Sequence, residues 1–162
     1  MVILAADDDL FILPTARILF TPNKQDEDWQ ECHEVALSVA DSGASRGFIT
    51  ETAAKNAKLK ILEDHKKVFV RGITGRTSTC RYVLATLYGK NKFSVTVKLL
   101  VLPKIGYINA NTLTPQQLNV KASELADLWP APKRPIDMIL GQDIMWIFNT
   151  QQKHAIKGQP RL

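Results

Sequence analysis

The sequence has few cysteines and no long apolar run. Its 162 residues include two cysteines, Cys32 and Cys80, and the N-terminal stretch Met1-Val-Ile-Leu-Ala-Ala-Asp-Asp-Asp lacks the positive region of a secretory signal peptide. Two cysteines without an export signal are typical of free thiols in a reducing compartment. No apolar run approaches the roughly 20 residues that a membrane-spanning helix needs. These absences predict a soluble, intracellular protein with no membrane partner.

Residue patterns for metal or phosphate binding are also missing. His33 and His65 lie far from each other and from the cysteines, so the spacing of metal ligands is absent. Gly72 and Gly75 are not followed by the Gly-Lys-Ser/Thr of a phosphate-binding loop. We therefore expect no metal and no cofactor.

Positive charge is only mildly in excess. Lysine and arginine outnumber aspartate and glutamate by 21 to 16, which gives a net charge of +5. The basic residues are scattered, with no run of five and no interleaved aromatic motif. This pattern is typical of a solvated basic surface, so we expect no specific nucleic-acid partner. The charge leaves nucleic-acid binding open as a weaker alternative.

The length and the apolar pattern predict one strand-rich domain. Hydrophobic residues make up 45% of the chain, which is enough for a core. Strands are predicted at residues 15–21, 31–39, 80–88, 93–102 and 136–140, and a hairpin at 67–88. Helices are predicted at 50–59 with Thr50 as N-cap, at 142–148, and as short turns at 115–118 and 123–129. We expect a β-barrel-like domain at 15–149, an N-terminal extension or linker at 1–14, and a polar tail at 150–162.

The most informative motif is Asp41-Ser42-Gly43-Ala44-Ser45, which follows an apolar-leaning run at residues 35–40. A carboxylate directly after a buried strand is costly unless it is hydrogen-bonded. The hydroxyl, glycine and small residue that follow it permit a tight, hydrogen-bonded turn. Much later, Ile139-Leu140-Gly141-Gln142-Asp143 runs from a short apolar strand through a glycine into a predicted helix.

These two segments resemble the retroviral-type aspartic peptidases, which pair an Asp-Ser/Thr-Gly-Ala/Ser loop with a later apolar-apolar-Gly-Arg/Gln-Asp segment. The similarity extends, in order, to the peptidase domains of Bel/Pao-type long-terminal-repeat retrotransposons. The further matching segments are Phe48-Ile49-Thr50, Leu102-Pro103-Lys104-Ile105, Leu125-Ala126-Asp127 and 136–146. The resemblance covers residues 15–148 and implies a mostly β acid-protease barrel with a flap hairpin and short helices. It also implies a cytoplasmic location or one in a virus-like particle.

The resemblance implies a role for each matching residue. Asp41 would be the catalytic carboxylate, supported in its loop by Ser42, Gly43, Ala44 and Ser45. The hairpin that would close over substrate as a flap contains Gly72, Ile73, Thr74 and Gly75. The residues that would pack beneath the loop are Ile139, Leu140 and Gly141.

The chain holds a single Asp-Ser/Thr-Gly motif, since Asp127, Asp137 and Asp143 lack the hydroxyl and the glycine. We expect Asp143 to cap the final helix and Asp137 to lie near a strand edge. Peptide hydrolysis by this route needs two carboxyl groups, one to take a proton from water and one to protonate the carbonyl oxygen. The chain is too short for a two-lobed enzyme, so we expect a homodimer with one Asp41 from each subunit at the twofold axis. Its substrate would be an extended polypeptide, such as the polyprotein that contains it.

Three positions depart from the family pattern. Ala40 replaces a larger apolar residue before the aspartate, Gln142 replaces the usual arginine, and Arg46 stands where relatives often have an acid. The ion pair that usually braces the loop against the helix would then be absent or rebuilt. These departures leave open a second function, in which a catalytically weak or silent peptidase fold serves as a dimerisation or scaffold module.

Overall fold

The computed structural model describes residues 15–23, 34–62, 68–71, 77–89, 93–108, 121 and 133–150. Its strands are β1 Thr15–Pro22, β2 Glu34–Ala40, β3 Phe48–Thr50, β4 Val68–Arg71, β5 Thr77–Cys80, β6 Tyr82–Tyr88, β7 Ser94–Leu102, β8 Tyr107–Ile108, β9 Arg134–Pro135 and β10 Met138–Leu140. Its helices are α1 Glu51–Asn56 and α2 Gln142–Thr150. The expected mostly β architecture with a few short helices is confirmed.

Six of the strands close into a barrel in the order β1-β2-β10-β3-β7-β6. Strand β10 lies between β2 and β3, parallel to the first and antiparallel to the second. Strand β3 also runs parallel to β7. Because β10 is inserted beside β2, the segment that follows Leu140 meets the loop that follows Ala40. This topology positions the candidate site.

The barrel interior contains the main hydrophobic core. Phe20, Leu87, Leu99 and Met138 are almost completely buried there. Ile144 of α2 belongs to the same core and is 1% exposed, so the helix docks through it. Fully burying a side chain of this size stabilises the fold by about 1.5–3 kcal/mol.

A second apolar cluster covers the outer face of β2. Leu37 and Val39 pack there against Ile108 of β8, with Ile136 partly buried beside them. Their neighbour Ala36 belongs to the barrel core instead. Strand β2 is thus buried on both faces where it leads to Asp41, so the four residues 36–39, including the hydroxyl residue Ser38, are all buried rather than alternately buried and exposed.

Helix α1 is shorter than the predicted 50–59. Thr50 is the expected N-cap, and its side chain accepts a hydrogen bond from the Ala53 N–H at 3.2 Å. At the other end Lys58 has a φ of 53°, and the Leu59 N–H donates to the carbonyl of Ala54 at 2.9 Å. This left-handed turn closes the helix two residues beyond Asn56.

The hairpin predicted at 67–88 is divided between two sheets. Strands β4 and β5 pair with each other, with Arg71 opposite Thr77. The chain then changes partner at Arg81, and β6 pairs with β7 in the barrel. Sequence alternation alone could not reveal this change, because it occurs inside residues 80–88, which the sequence predicts as one strand.

Several expectations fall outside the described residues: the N-terminal extension at 1–14, the helical turns at 115–118 and 123–129, and the tail beyond residue 150. Among the residues that are described, no helix combines the length and the apolar character needed to cross a bilayer.

Candidate active site

Asp41 lies one residue beyond β2, at the end of the strand that is buried on both faces. Its backbone N–H donates to the carbonyl of Leu140 at 3.0 Å. This bond continues the parallel pairing in which Ala40 lies opposite Leu140. The ladder therefore fixes the backbone of Asp41, while its side chain is only partly buried.

The carboxylate of Asp41 is held by its own loop. The Gly43 N–H donates to Asp41 Oδ1 at 2.8 Å, and the Ala44 N–H donates to the Asp41 carbonyl at 3.1 Å. The first bond, in which the aspartate side chain accepts from the N–H two residues on, forms an Asx turn, and the second closes a backbone turn over the same residues. Ser42, Gly43 and Ser45 are exposed, so the loop presents polar groups at the surface.

Ile139, Leu140 and Gly141 lie directly against this loop. The first two belong to β10, which pairs with β2. Gly141 is buried, and a Cβ atom built on it would overlap the backbone carbonyl of Arg46. Since a backbone group cannot move aside as a flexible side chain can, only glycine fits at this position.

Gln142, the first residue of α2, makes two hydrogen bonds to the loop. Its backbone N–H donates to the carbonyl of Ala44 at 2.8 Å. Its side-chain Nε2 donates to the carbonyl of Ser42 at 2.6 Å. From the sequence, Gln142 is a departure from the family pattern that leaves the brace between loop and helix absent or rebuilt, and its place directly after Gly141 is the signal for this contact. The structure has a hydrogen bond from Gln142 to the loop.

Asp143 does not cap α2 as expected. The carbonyl of Gly141 accepts from Ile144 and Met145 at the start of the helix, and Asp143 lies inside the first turn. Its Oδ2 accepts from the Gly47 N–H at 3.3 Å. Its Oδ1 is buried and has no hydrogen-bond partner among the described residues. Asp143 thus contacts the far end of the loop that begins at Asp41.

Asp137 joins three strands rather than taking part in the site. Its Oδ2 accepts from the Leu37 N–H at 2.8 Å, and its own N–H donates to the Leu37 carbonyl at 2.9 Å. Its carbonyl accepts from the Thr50 N–H at 2.9 Å. Asp137 therefore extends the pairing of β10 with both β2 and β3. Its carboxylate takes part in this pairing by accepting the hydrogen bond from Leu37.

The expected flap residues Gly72, Ile73, Thr74 and Gly75 lie outside the described residues, between β4 and β5. In the described ranges, no group of three histidine, cysteine or acidic side chains is arranged to hold a metal ion. The site as described consists of one carboxylate, its hydrogen-bonded loop and the junction between β10 and α2.

A cavity of about 450 Å³ lies between Arg46 of the loop, strand β7 and helix α2. Arg46, Lys98 and Asp143 contribute its charged side chains, and Ile144 and Ile147 are among its apolar ones. Asp41 is not among the lining residues. This cavity is therefore separate from the candidate catalytic group.

Cys80 is a free thiol at the end of β5, in agreement with the expectation for that residue. It is 2% exposed, and burial raises the pKa of its thiol. A thiol that stays protonated is a poor nucleophile, so Cys80 is a structural side chain. Cys32 lies outside the described residues.

The chain is similar to known proteins. A family model described as "Aspartyl protease" matches residues 34–144 of the 162. The solved structure of EIAV protease complexed with the inhibitor HBY-793 is 15% identical, with a TM-score of 0.48, over 90% of this chain and 94% of that one. No curated protein matches the sequence.

Proposed function

Because this chain belongs to the aspartyl protease family, we propose that it is an aspartic endopeptidase of the retroviral type, in which two copies of Asp41 activate one water molecule. The observation that carries the proposal is the Asp41 carboxylate itself. It is partly buried at the end of β2, and an amide of its own loop binds it at 2.8 Å. It is thus held in one orientation and is reachable from solvent.

The second carboxylate of the proposed site comes from another copy of the chain. Only Asp41 is followed by the hydroxyl and glycine of the motif. Asp137 and Asp143 already bind backbone amides elsewhere. A twofold axis beside Asp41 would bring two equivalent loops together, so the active site would exist only in the homodimer.

The proposed reaction divides the proton transfers between the two carboxyl groups. Two carboxyls in contact cannot both ionise, so they share one proton, and the resulting pKa values belong to the pair. The ionised carboxylate takes a proton from water as its oxygen attacks the peptide carbonyl, and the neutral carboxyl protonates the carbonyl oxygen. The tetrahedral diol then collapses, and a proton passes to the leaving amine. No metal or cofactor enters these steps.

The proposed substrate is an extended polypeptide, including the polyprotein of a Bel/Pao-type element. It would lie across the dimer and form strand-like hydrogen bonds. The loop at Gly72, Ile73, Thr74 and Gly75 would close over it as a flap. We assign this function to a peptidase domain at 15–149, flanked by an extension at 1–14 and a tail at 150–162.

The alternative, a silent scaffold module, was suggested by the departures at Ala40, Arg46 and Gln142. The contacts of Gln142 weigh against it, because its side chain binds Ser42 and supplies a brace without an ion pair.

The test measures cleavage of a peptide library between pH 4 and 7 by the purified protein and, under the same conditions, by the Asp41→Asn variant. Asparagine keeps the size of the side chain but cannot take a proton from water. We expect cleavage by the original chain and a loss of about a thousandfold or more in the variant. Cleavage that Asp41→Asn leaves intact would rule out the proposal, and an intact dimer that cleaves nothing would favour the scaffold function.

A further inference from the structure

The peptide group between Ser42 and Gly43 is hydrogen-bonded at both ends. Its carbonyl accepts from Gln142 Nε2 at 2.6 Å, and its N–H donates to Asp41 Oδ1 at 2.8 Å. A backbone carbonyl can only accept, so the contacting side-chain atom is the amide nitrogen of Gln142. Because the peptide group is planar, the Gln142 side chain and the Asp41 carboxylate are connected through one rigid unit.

We propose that Gln142 is a positioning residue that turns the Ser42–Gly43 peptide so that its N–H points at the Asp41 carboxylate. The inference rests on the proposed function, since this orientation matters to catalysis only if Asp41 reacts. Ser42 and Gly43 are both exposed, and a glycine restricts rotation of the preceding peptide very little. An anchor outside the turn therefore adds to the restraint that the Asx turn itself places on this plane.

The Gln142 side chain is well placed to be that anchor. Its own backbone is fixed, because its N–H donates to the Ala44 carbonyl at 2.8 Å. The next residue but one, Ile144, is 1% exposed in the barrel core and holds the first turn of α2 in place. The amide thus reaches Ser42 from a rigid element rather than from a second loop.

The same contact also strengthens the bond to Asp41. A hydrogen bond to a peptide carbonyl polarises the group and makes its N–H a better donor. A donor aimed at a carboxylate favours its ionised form. Gln142 therefore supports Asp41 through the Ser42–Gly43 peptide in two ways, by orientation and by polarisation.

Gln142 does this with no charge of its own. The ionisable groups on the loop and on the elements that contact it are Arg46, Asp143 in α2, Asp137 before β10, Glu34 at the far end of β2, and Lys98 of β7 with Tyr82 of β6, which line one cavity with Arg46. All of them remain in place when Gln142 is replaced by an uncharged residue. A change in the titration of Asp41 after such a replacement therefore reports the lost hydrogen bond rather than a lost charge.

The test compares Gln142→Met, which keeps the length but has no donor, with Gln142→Arg, which restores a donor. Because arginine also adds a positive charge, every titration is repeated in about 1 M salt, which screens the effect of that charge and leaves the hydrogen bond. Lys55→Met, on the exposed face of α1, is a matched control for the loss of a polar side chain. Carboxyl-carbon NMR of the whole protein follows the titration of Asp41, and kcat and KM are measured across pH. Melting temperature and oligomeric state are recorded for every variant.

The two Asp41 carboxyl groups of a dimer lose their protons in two steps. In Gln142→Met we expect the pH midpoint of the first step to rise by about one unit, which is a tenfold change in the ionisation constant. We expect kcat to fall by about tenfold with KM within about twofold, because the lost support acts on the reacting group. Gln142→Arg should recover most of both values, and Lys55→Met should match the original chain.

An unchanged Asp41 midpoint and kcat in Gln142→Met, or a failure of Gln142→Arg to recover either, would overturn the proposal. If Gln142→Met does not fold, Gln142→Asn replaces it, because its amide is one methylene too short to reach Ser42. The NMR titration needs no catalysis. If the original chain cleaves nothing, the proposed function fails, whereas the midpoint still decides the role of Gln142.

Discussion

Gly141 lies so close to Arg46 that one added carbon on Gly141 would overlap the Arg46 backbone carbonyl. The contact joins the start of α2 to the end of the loop that begins at Asp41. It belongs to a continuous set, because Leu140 binds the Asp41 N–H, Gln142 binds Ser42 and Ala44, and Asp143 binds Gly47. Four consecutive residues thus hold seven residues of loop.

Gly141→Ala is expected to destabilise the protein through this contact. The added methyl group has to displace backbone rather than a side chain, and overpacking of this kind costs about 1–3 kcal/mol. The displaced segment leads directly to Asp41, so cleavage should fall more than the fraction of folded protein does. Urea unfolding and cleavage rates measure the two effects.

Gly106→Ala is the matched control for that substitution. Gly106 has a φ of +144° but open space around the position of a Cβ. Alanine there should cost about 1 kcal/mol through backbone strain, without a selective loss of cleavage. Equal effects of the two variants on cleavage would show that the Gly141 contact has no special importance for the loop.

Asp137 is expected to act on stability and not on catalysis. In Asp137→Ala the Leu37 N–H loses its carboxylate partner, and an unsatisfied buried donor costs about 1–3 kcal/mol. Asp137→Asn keeps an acceptor oxygen and should lose less than half of that. Urea unfolding gives the free energies, and cleavage per folded molecule should stay unchanged in Asp137→Asn. A large loss of cleavage in well-folded Asp137→Asn would mean that this acid takes part in the reaction.

Cys80 should be unreactive and should make stability depend on alkaline pH. Burial raises the pKa of its thiol, so the folded protein retains the proton to higher pH than the unfolded chain does. The associated stability is complete below the unfolded pKa of about 8.5 and is lost as pH rises through the folded pKa. In a Cys32→Ala background, urea unfolding between pH 7 and 10 measures this loss.

The same background isolates the reactivity of the Cys80 thiol. A disulfide reagent should modify Cys80 at least about tenfold more slowly in the folded protein than in urea. Adding Cys80→Ala should remove the modification, and it should also remove the loss of unfolding free energy at alkaline pH that the Cys80 thiol causes. Equal modification rates with and without urea would contradict the burial of this thiol.

The features that the sequence predicted well are those with local causes. Pro103 ends β7 because proline lacks an N–H for the ladder, and Thr50 caps α1 through its own hydroxyl. The turn after Asp41 follows from a hydroxyl, a glycine and a small residue in succession. Each of these depends on residues within a few positions in the chain.

The features that could not be predicted from the sequence depend on residues that lie far apart in the chain. Strands β8 and β9 are two residues each, and they pair with each other, Tyr107 opposite Pro135 and Ile108 opposite Arg134. The bond from Gln142 to Ser42 spans 100 residues, and that from Asp143 to Gly47 spans 96. No local pattern encodes such contacts. Likewise, the change of sheet at Arg81 depends on which strand lies next to β6.

The central claim is that two copies of Asp41 form one active site, and mixing subunits tests it most directly. The original chain is equilibrated with a ninefold excess of Asp41→Asn, under conditions that allow subunit exchange, and cleavage is measured per original chain. Pairs containing an Asp41→Asn subunit lack one of the two acids, so activity should fall to about one tenth of its value without the variant. If activity is unchanged at every ratio, each chain works alone and the shared site is contradicted.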